Sequence, residues 1–263
     1  MEKEKGMLDY STFDHENDYI HYYGSEALRK VTGSALLTFG LDMFDSALII
    51  KRFNELDEAT KKLHTKKKPE EPLLSELRKF ANELGDEFLI DQIKILILFE
   101  NYMKAVLLTE GYLIHQIEDK KECEAWLKDQ RKKPIKAHRF FKEFPPQKTV
   151  HKDGTESHKH NLVKPVTIPL KRLLQPSYQE VIKLPEHILK YVKEFQDNRN
   201  KLHFHLTKHI RLNRQLFEKF EWVKKFVDEK VRILNSALVV ELRLLGGKGE
   251  GKIIEHFIVK END

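Results

Sequence analysis

The stretch from Asp86 to Ile117, "DEFLIDQIKILILFENYMKAVLLTEGYLIHQI", constrains the fold more than any other part of the chain. Leu89, Ile93, Leu96, Met103, Leu107 and Ile114 fall within a narrow arc at about 100° per residue, which predicts a long helix with one core face. Glu100 stands about 40° from Leu96 on that same face, so a carboxylate projects toward the core. A carboxylate there needs a cation or several donors. Lys104, one turn on, and Arg199, far along the chain, are the two candidates. Asp91 and Lys94 interrupt the most apolar run, "FLIDQIKILILF", and argue against a membrane span.

Other segments follow the same logic. Helical spacing from about Ala27 to Leu63 predicts another long helix, closed by the charged, proline-bearing linker "HTKKKPEEP". A short helix is expected in "LLSELRKFANEL", with a break at Gly85, and another in "KKECEAWLKDQRKK", ending near Pro134. From Phe144 to Pro185 the pattern gives way to prolines, a "KDGT" turn suited to a hairpin and fragments such as "VTIPL", which predicts an insertion with some strand rather than core. Helix returns after Pro185 through "EHILKYVKEFQDNRNKLHFHL". A last helix, about 213–245, carries Leu216, Phe220, Val223, Val227, Leu234 and Ala237 on one face and stops at Gly246 and Gly247. The tail "KIIEHFIVK" suits a short strand.

Length and composition narrow the class. At 263 residues the chain is long enough to bury a proper core. Its single cysteine, Cys123, excludes an internal disulfide framework and a cysteine-based zinc cluster, and favours a reducing compartment. The start, "MEKEKGMLDYSTFDHENDY", has no apolar core of the signal-peptide kind, so a cytoplasmic location is expected. The formal charge is +5, but residues 128–172 hold thirteen Lys and Arg against four Asp and Glu, so the remainder is net acidic. Within that block "KDQRKKPIKAHRFFKEF" interleaves cations with rings, as surfaces that follow an RNA backbone do. Arg131, Lys132, Lys133, Lys136 and Arg139 are the candidate RNA contacts. The competing reading is a solvated helix face with Phe140, Phe141 and Phe144 turned inward.

Two motifs are set aside. "GGKGEGK" at 246–252 lacks the Ser or Thr that follows a P-loop lysine and is preceded by helix rather than strand, so it reads as a flexible helix stop. His151, His158 and His160 sit in a lysine-rich loop with nothing to fix metal-ligand geometry, and read as a solvated loop. No metal site and no cofactor are expected.

The stretch "DNRNKLHFHLTKH" at 197–209 carries the functional reading. Arg199 offers a permanently charged planar fork for phosphate, and histidine exchanges protons near neutral pH. RNA transesterification requires one group to take the 2′-OH proton, one to protonate the 5′-oxygen and a cation for the pentacoordinate phosphorus, without metal. On an ideal helix Arg199 and His203 lie about 40° apart and Arg199 and His205 about 120° apart, so spacing alone favours His203.

The segment "ILFENYMKAVLLTEGYLIHQI", with Glu100 and Lys104 as an E-x-x-x-K element and "GYLIH" as a Gly-to-His turn, resembles the first core helix of HEPN-superfamily domains. The segment "RNKLHFH" is similar to the signature of that superfamily, an Arg, a polar residue such as Asn200, and a His after four to six positions. His205 fits that window and His203 does not. Ala105 stands where the family often has Arg, and the segment between the motif helices is longer than in a minimal domain.

The resemblance implies a mainly α, HEPN-like helical bundle over 86–245 with a basic insertion at about 128–184 and a small β appendage. Residues 1–80 would be a helical extension, and 246–263 a Gly-rich stop and strand. It further implies a metal-independent endoribonuclease of toxin or antiviral-defence type, acting on single-stranded RNA as a homodimer, with an antitoxin or defence-system protein as partner. The catalytic set would be Arg199, His205, His203, Asn200, Glu100 and Lys104. The alternative is a non-catalytic interaction or ligand-sensing module in which Arg199 and Glu100 are structural.

Overall fold

The computed structural model describes residues 23, 26–65, 71–118, 120–130, 133–150, 152, 156–202 and 214–245. They form a mostly helical protein with two small antiparallel pairs of strands. In order the elements are α1 (Glu26–Asp45), α2 (Leu48–Lys51), α3 (Phe53–Thr65), α4 (Glu71–Thr109), β1 (His115–Ile117), α5 (Lys121–Gln130) and α6 (Ala137–Glu143). Then come β2 (Gln147–Val150), β3 (Glu156–Lys159), β4 (Val163–Thr167), α7 (Leu170–Leu173), α8 (Pro176–Ile182) and α9 (Glu186–Leu202). Helix α10 (Arg214–Phe226) runs through a π turn (Val227–Val231) into α11 (Arg232–Leu245). Among the described residues no helix is long and apolar enough to cross a membrane.

The core is organised on α4. Of the expected stripe Leu96, Met103 and Leu107 are buried and Ile93 is half-buried, and Phe99, not expected there, is buried beside them. Helix α1 crosses it antiparallel at close range: a Cβ on Gly40 would stand 3.2 Å from the Leu98 Cα, and one on Gly33 3.1 Å from the Thr109 methyl. On its other side α1 meets α11, also antiparallel, through Lys30 to Glu241 (2.7 Å), Ser34 to Asn235 (2.8 Å) and Arg232 to Asp45 (2.5 Å). The supposed N-terminal extension therefore supplies a central helix. The expected boundary between 1–80 and 86–245 falls inside α4, which runs through Gly85 without a break.

Three further expectations are corrected. The helix expected over 27–63 breaks at Ser46 and Ala47, and the two charges that interrupt the apolar run of α4 hold the corner. Asp91, itself buried, accepts the Ile49 N–H at 2.7 Å at the start of α2, and Lys94 donates to the Ser46 carbonyl at 3.1 Å. The helix expected to reach Ile117 stops at Thr109. Gly111 takes φ 78°, its N–H bonds the Leu108 carbonyl (2.9 Å) and the Tyr112 N–H bonds the Leu107 carbonyl (2.8 Å), closing the helix with the double bond pattern that a left-handed glycine permits.

The segment expected as a non-core insertion is core from Leu162 onward. Leu162, Val163, Ile168, Leu170, Leu173 and Tyr178 are all buried. Because β4 pairs with β1, the segment closes over the end of α4. The β2–β3 pair, with Val150 opposite Glu156, agrees with a hairpin around "KDGT". In the last helix Phe220, Val223 and Val227 are buried as expected, but Ala237 is exposed and Leu238 buried. Plain helical spacing accounts for this, since at about 100° per residue Leu238 lies within about 20° of Phe220 and Val227 while Ala237 lies about 80–100° away from them. The tail strand and "GGKGEGK" lie outside the described residues.

Candidate functional site

The double bond at Gly111 turns the chain from the end of α4 directly into β1, and this brings His115 back beside the helix it has just left. In the β1–β4 register His115 lies opposite Thr167, so their side chains share a face of the ladder. Lys104, one turn before the end of α4, donates to Thr167 Oγ1 at 2.7 Å and to Glu100 Oε1 at 2.5 Å. The Lys104 side chain is 8% exposed and the Glu100 side chain 28%, so the ammonium is the more desolvated partner. Lys104, one of the two cations proposed for Glu100, meets it.

His115 is buried and its protonation is fixed by Tyr23. The Tyr23 hydroxyl oxygen accepts the backbone N–H of Ile114 (3.0 Å) and of His115 (3.2 Å), which occupies its lone pairs. Its own proton then points to His115 Nδ1, 2.6 Å away, and the neutral imidazole carries its hydrogen on Nε2. Burial, with the nearby Lys104 charge, lowers the His115 pKa to about 4. At neutral pH this histidine is an uncharged donor.

The same imidazole lines a cavity of about 290 Å³, with Leu113 and Ile117 on its own strand face, Leu127 of α5, Ile135, Ile168, Arg172 of α7 and Tyr178 of α8. The Arg172 guanidinium lies over the Tyr178 ring, 5.9 Å from its centroid, and burial raises the Tyr178 pKa, so its hydroxyl stays protonated. Tyr23, Thr167, Arg172 and Tyr178 were not singled out from sequence. His115 was, but only as part of a turn. Nothing in the spacing joins residue 115 to 167, because their proximity comes from strand pairing.

Arg199 and Asn200 stand in the last turn of α9. The buried face of α9 runs through Ile188, Val192 and Phe195. Helix α9 packs against α4. The two motif segments thus belong to neighbouring helices. His203, His205 and His209 lie outside the described residues, as do Arg131 and Lys132.

In the basic segment, Lys133 and Arg139 are exposed, while Lys136 donates to the Glu110 carbonyl (2.6 Å) and sits 3.8 Å above the Tyr112 ring. Phe140 is fully buried, and Phe141 and Phe144 pack against the core, so these rings face inward rather than toward a strand of RNA. His160, expected in a solvated loop, is a structural residue. Its Nδ1 accepts the Leu162 N–H (3.1 Å), which leaves Nε2 to donate to the Phe144 carbonyl (2.7 Å), and burial lowers its pKa.

Fold and site define a mainly helical protein with a half-buried Glu–Lys–Thr chain next to a neutral histidine and a cavity. Comparison with protein-family models, with curated proteins and with solved structures finds no match.

Proposed function

We propose that the chain is a HEPN-like, metal-independent endoribonuclease that cleaves single-stranded RNA by attack of the 2′-OH on the adjacent phosphate. The packing of α9 on α4 is what supports the reading: it makes neighbours of the helices that carry Arg199 and the Glu100–Lys104 element. In this mechanism Arg199 neutralises charge on the phosphate and His205, with His203 beside it, transfers protons. Two copies of the chain line one cleft, so that the arginine and histidine need not share a helix face. Glu100 and Lys104 hold the helix that supports the cleft.

A second reading, a ligand-sensing or interaction module, is favoured by one observation. Glu100 is already neutralised by Lys104, so its burial needs no catalytic explanation. The two readings separate in one assay: incubation of the full chain with single-stranded RNA in excess chelator. Fragments ending in a 2′,3′-cyclic phosphate support the nuclease. Intact RNA under these conditions, with cleavage restored only by a divalent ion, defeats the proposed mechanism.

A further inference from the structure

Leu113, His115 and Ile117 alternate through β1 and turn one strand face to the cavity, which α5, α7 and α8 close from other sides. Five of its eight described lining residues, Leu113, Ile117, Leu127, Ile135 and Ile168, are aliphatic, so the character of the space rests on the other three. All three are engaged by groups of the protein itself. His115 Nδ1 takes the Tyr23 hydroxyl proton at 2.6 Å, and the Arg172 guanidinium, 5.9 Å from the Tyr178 ring centroid, donates to the Tyr178 hydroxyl. A guest therefore meets aliphatic side chains together with polar groups that already have partners, and it need not answer them with bonds of its own. An apolar cavity of about 150 Å³ takes a benzene ring, so about 290 Å³ accommodates roughly twelve non-hydrogen atoms.

We propose that this cavity binds a neutral, largely apolar small molecule of one or two fused rings, its carbon frame lying against Leu113, Leu127, Ile135 and Ile168. A charged guest gives up its hydration on entry. An anion would have to displace the partners that Arg172 and His115 already hold, and a cation meets the like charge of Arg172 in the wall and of Lys104 beside His115. A neutral ring system gives up no hydration of that size and gains the burial of its own surface against five aliphatic side chains. No residue of the α9 motif is among the described lining residues, so the inference does not depend on the ribonuclease reading.

The test is titration of the full chain, methyl-labelled at leucine and isoleucine, with indole as the probe and with indole-3-carboxylate and 3-(aminomethyl)indole as its anionic and cationic relatives. Indole is expected to bind with a Kd below about 1 mM, and at least about tenfold more tightly than either ion. It should shift the methyl resonances of Leu113, Leu127, Ile135 and Ile168. Leu127→Trp and Ile135→Phe put ring atoms of the protein into the space, and each should weaken indole at least about tenfold while the circular-dichroism melt stays cooperative. Either ion binding as tightly as indole, no binding of indole at millimolar concentration, shifts confined to methyls elsewhere, or undiminished binding to a folded filling variant would each overturn the assignment. Should one filling variant fail to fold, the other decides, together with the three probes on the wild type.

Discussion

Lys104 and Glu100 form an ion pair one helical turn apart in which the cation is the more buried partner and carries a second bond, to Thr167. The asymmetry sets the order of mutant costs. Removing Glu100 strands an ammonium in the core, whereas removing Lys104 leaves a carboxylate that still reaches water. Glu100→Leu is therefore expected to destabilise the protein by about 2–4 kcal/mol and Lys104→Met by roughly half as much, with the double variant less costly than the sum. Urea unfolding of the three variants checks this. Equal costs would mean that solvent reaches both groups alike.

His115 makes stability depend on pH with a definite sign. Its pKa is lowered from 6.5 to about 4, so between those values the unfolded chain binds the proton and the folded one does not. The contribution is present above 6.5 and is lost as pH falls toward 4, by on the order of 3 kcal/mol. His115→Gln should flatten this slope. Tyr23→Phe, which takes the acceptor away from two backbone N–H groups, should cost about 1–3 kcal/mol at neutral pH. Denaturant unfolding across the window is the measurement. A wild-type slope no steeper than that of His115→Gln would show that the imidazole is hydrated.

The crossing of α1 and α4 predicts opposite behaviour for two glycines. At Gly40 a methyl meets the Leu98 Cα, main chain that cannot step aside, whereas at Gly33 it meets the Thr109 methyl, the end of a side chain, which can give by a few tenths of an ångström while the Thr109 hydroxyl keeps its bonds to the Ala105 and Val106 carbonyls. Gly40→Ala should destabilise by about 1–3 kcal/mol despite the better helix propensity of alanine. Gly33→Ala should be close to neutral. Thermal melts of the two variants give the comparison, and a stabilised Gly40→Ala protein would contradict the close approach.

These relationships show which parts of the molecule were legible in sequence. The stripe on α4, the Glu100–Lys104 pair and the helix after Pro185 could be read because each is set by spacing within one element. The break at Ser46 could not, since its cause is a carboxylate and an ammonium from α4, more than forty residues away. The segment after Leu162 reads as an insertion because its prolines and short fragments hide burial, which strand pairing with β1 supplies. The cavity is legible nowhere in the sequence: its lining comes from five separate stretches of chain.

The basic segment gives a prediction about salt. If Lys133 and Arg139, which are exposed, act with Arg131 and Lys132 on an RNA backbone, neutralising all four should weaken binding and flatten its dependence on ionic strength, because fewer counterions are released. Lys136 should contribute less, since it is committed to the Glu110 carbonyl. Filter binding across a salt series is the check. An unchanged slope would leave the block as a solvated face above inward-turned phenylalanines.

The remaining prediction concerns the α9 motif. A catalytic site requires Arg199→Ala to remove the phosphate clamp and His205→Ala to remove a proton-transfer group, so each should slow RNA cleavage at least about a hundredfold while the melting temperature changes little. His203→Ala should cost less, and His209→Ala least. The structural alternative orders the variants differently. If Arg199 is structural, Arg199→Ala would lower the melting temperature, and the histidine changes would be silent in both assays. Melting temperature and cleavage rate measured together on the four single variants separate these outcomes. A dead His203→Ala beside a fully active His205→Ala would move the proton-transfer role to His203, in line with the roughly 40° that separates it from Arg199 on an ideal helix. Full activity in both histidine variants would remove catalysis from this motif and leave the interaction or ligand-sensing reading.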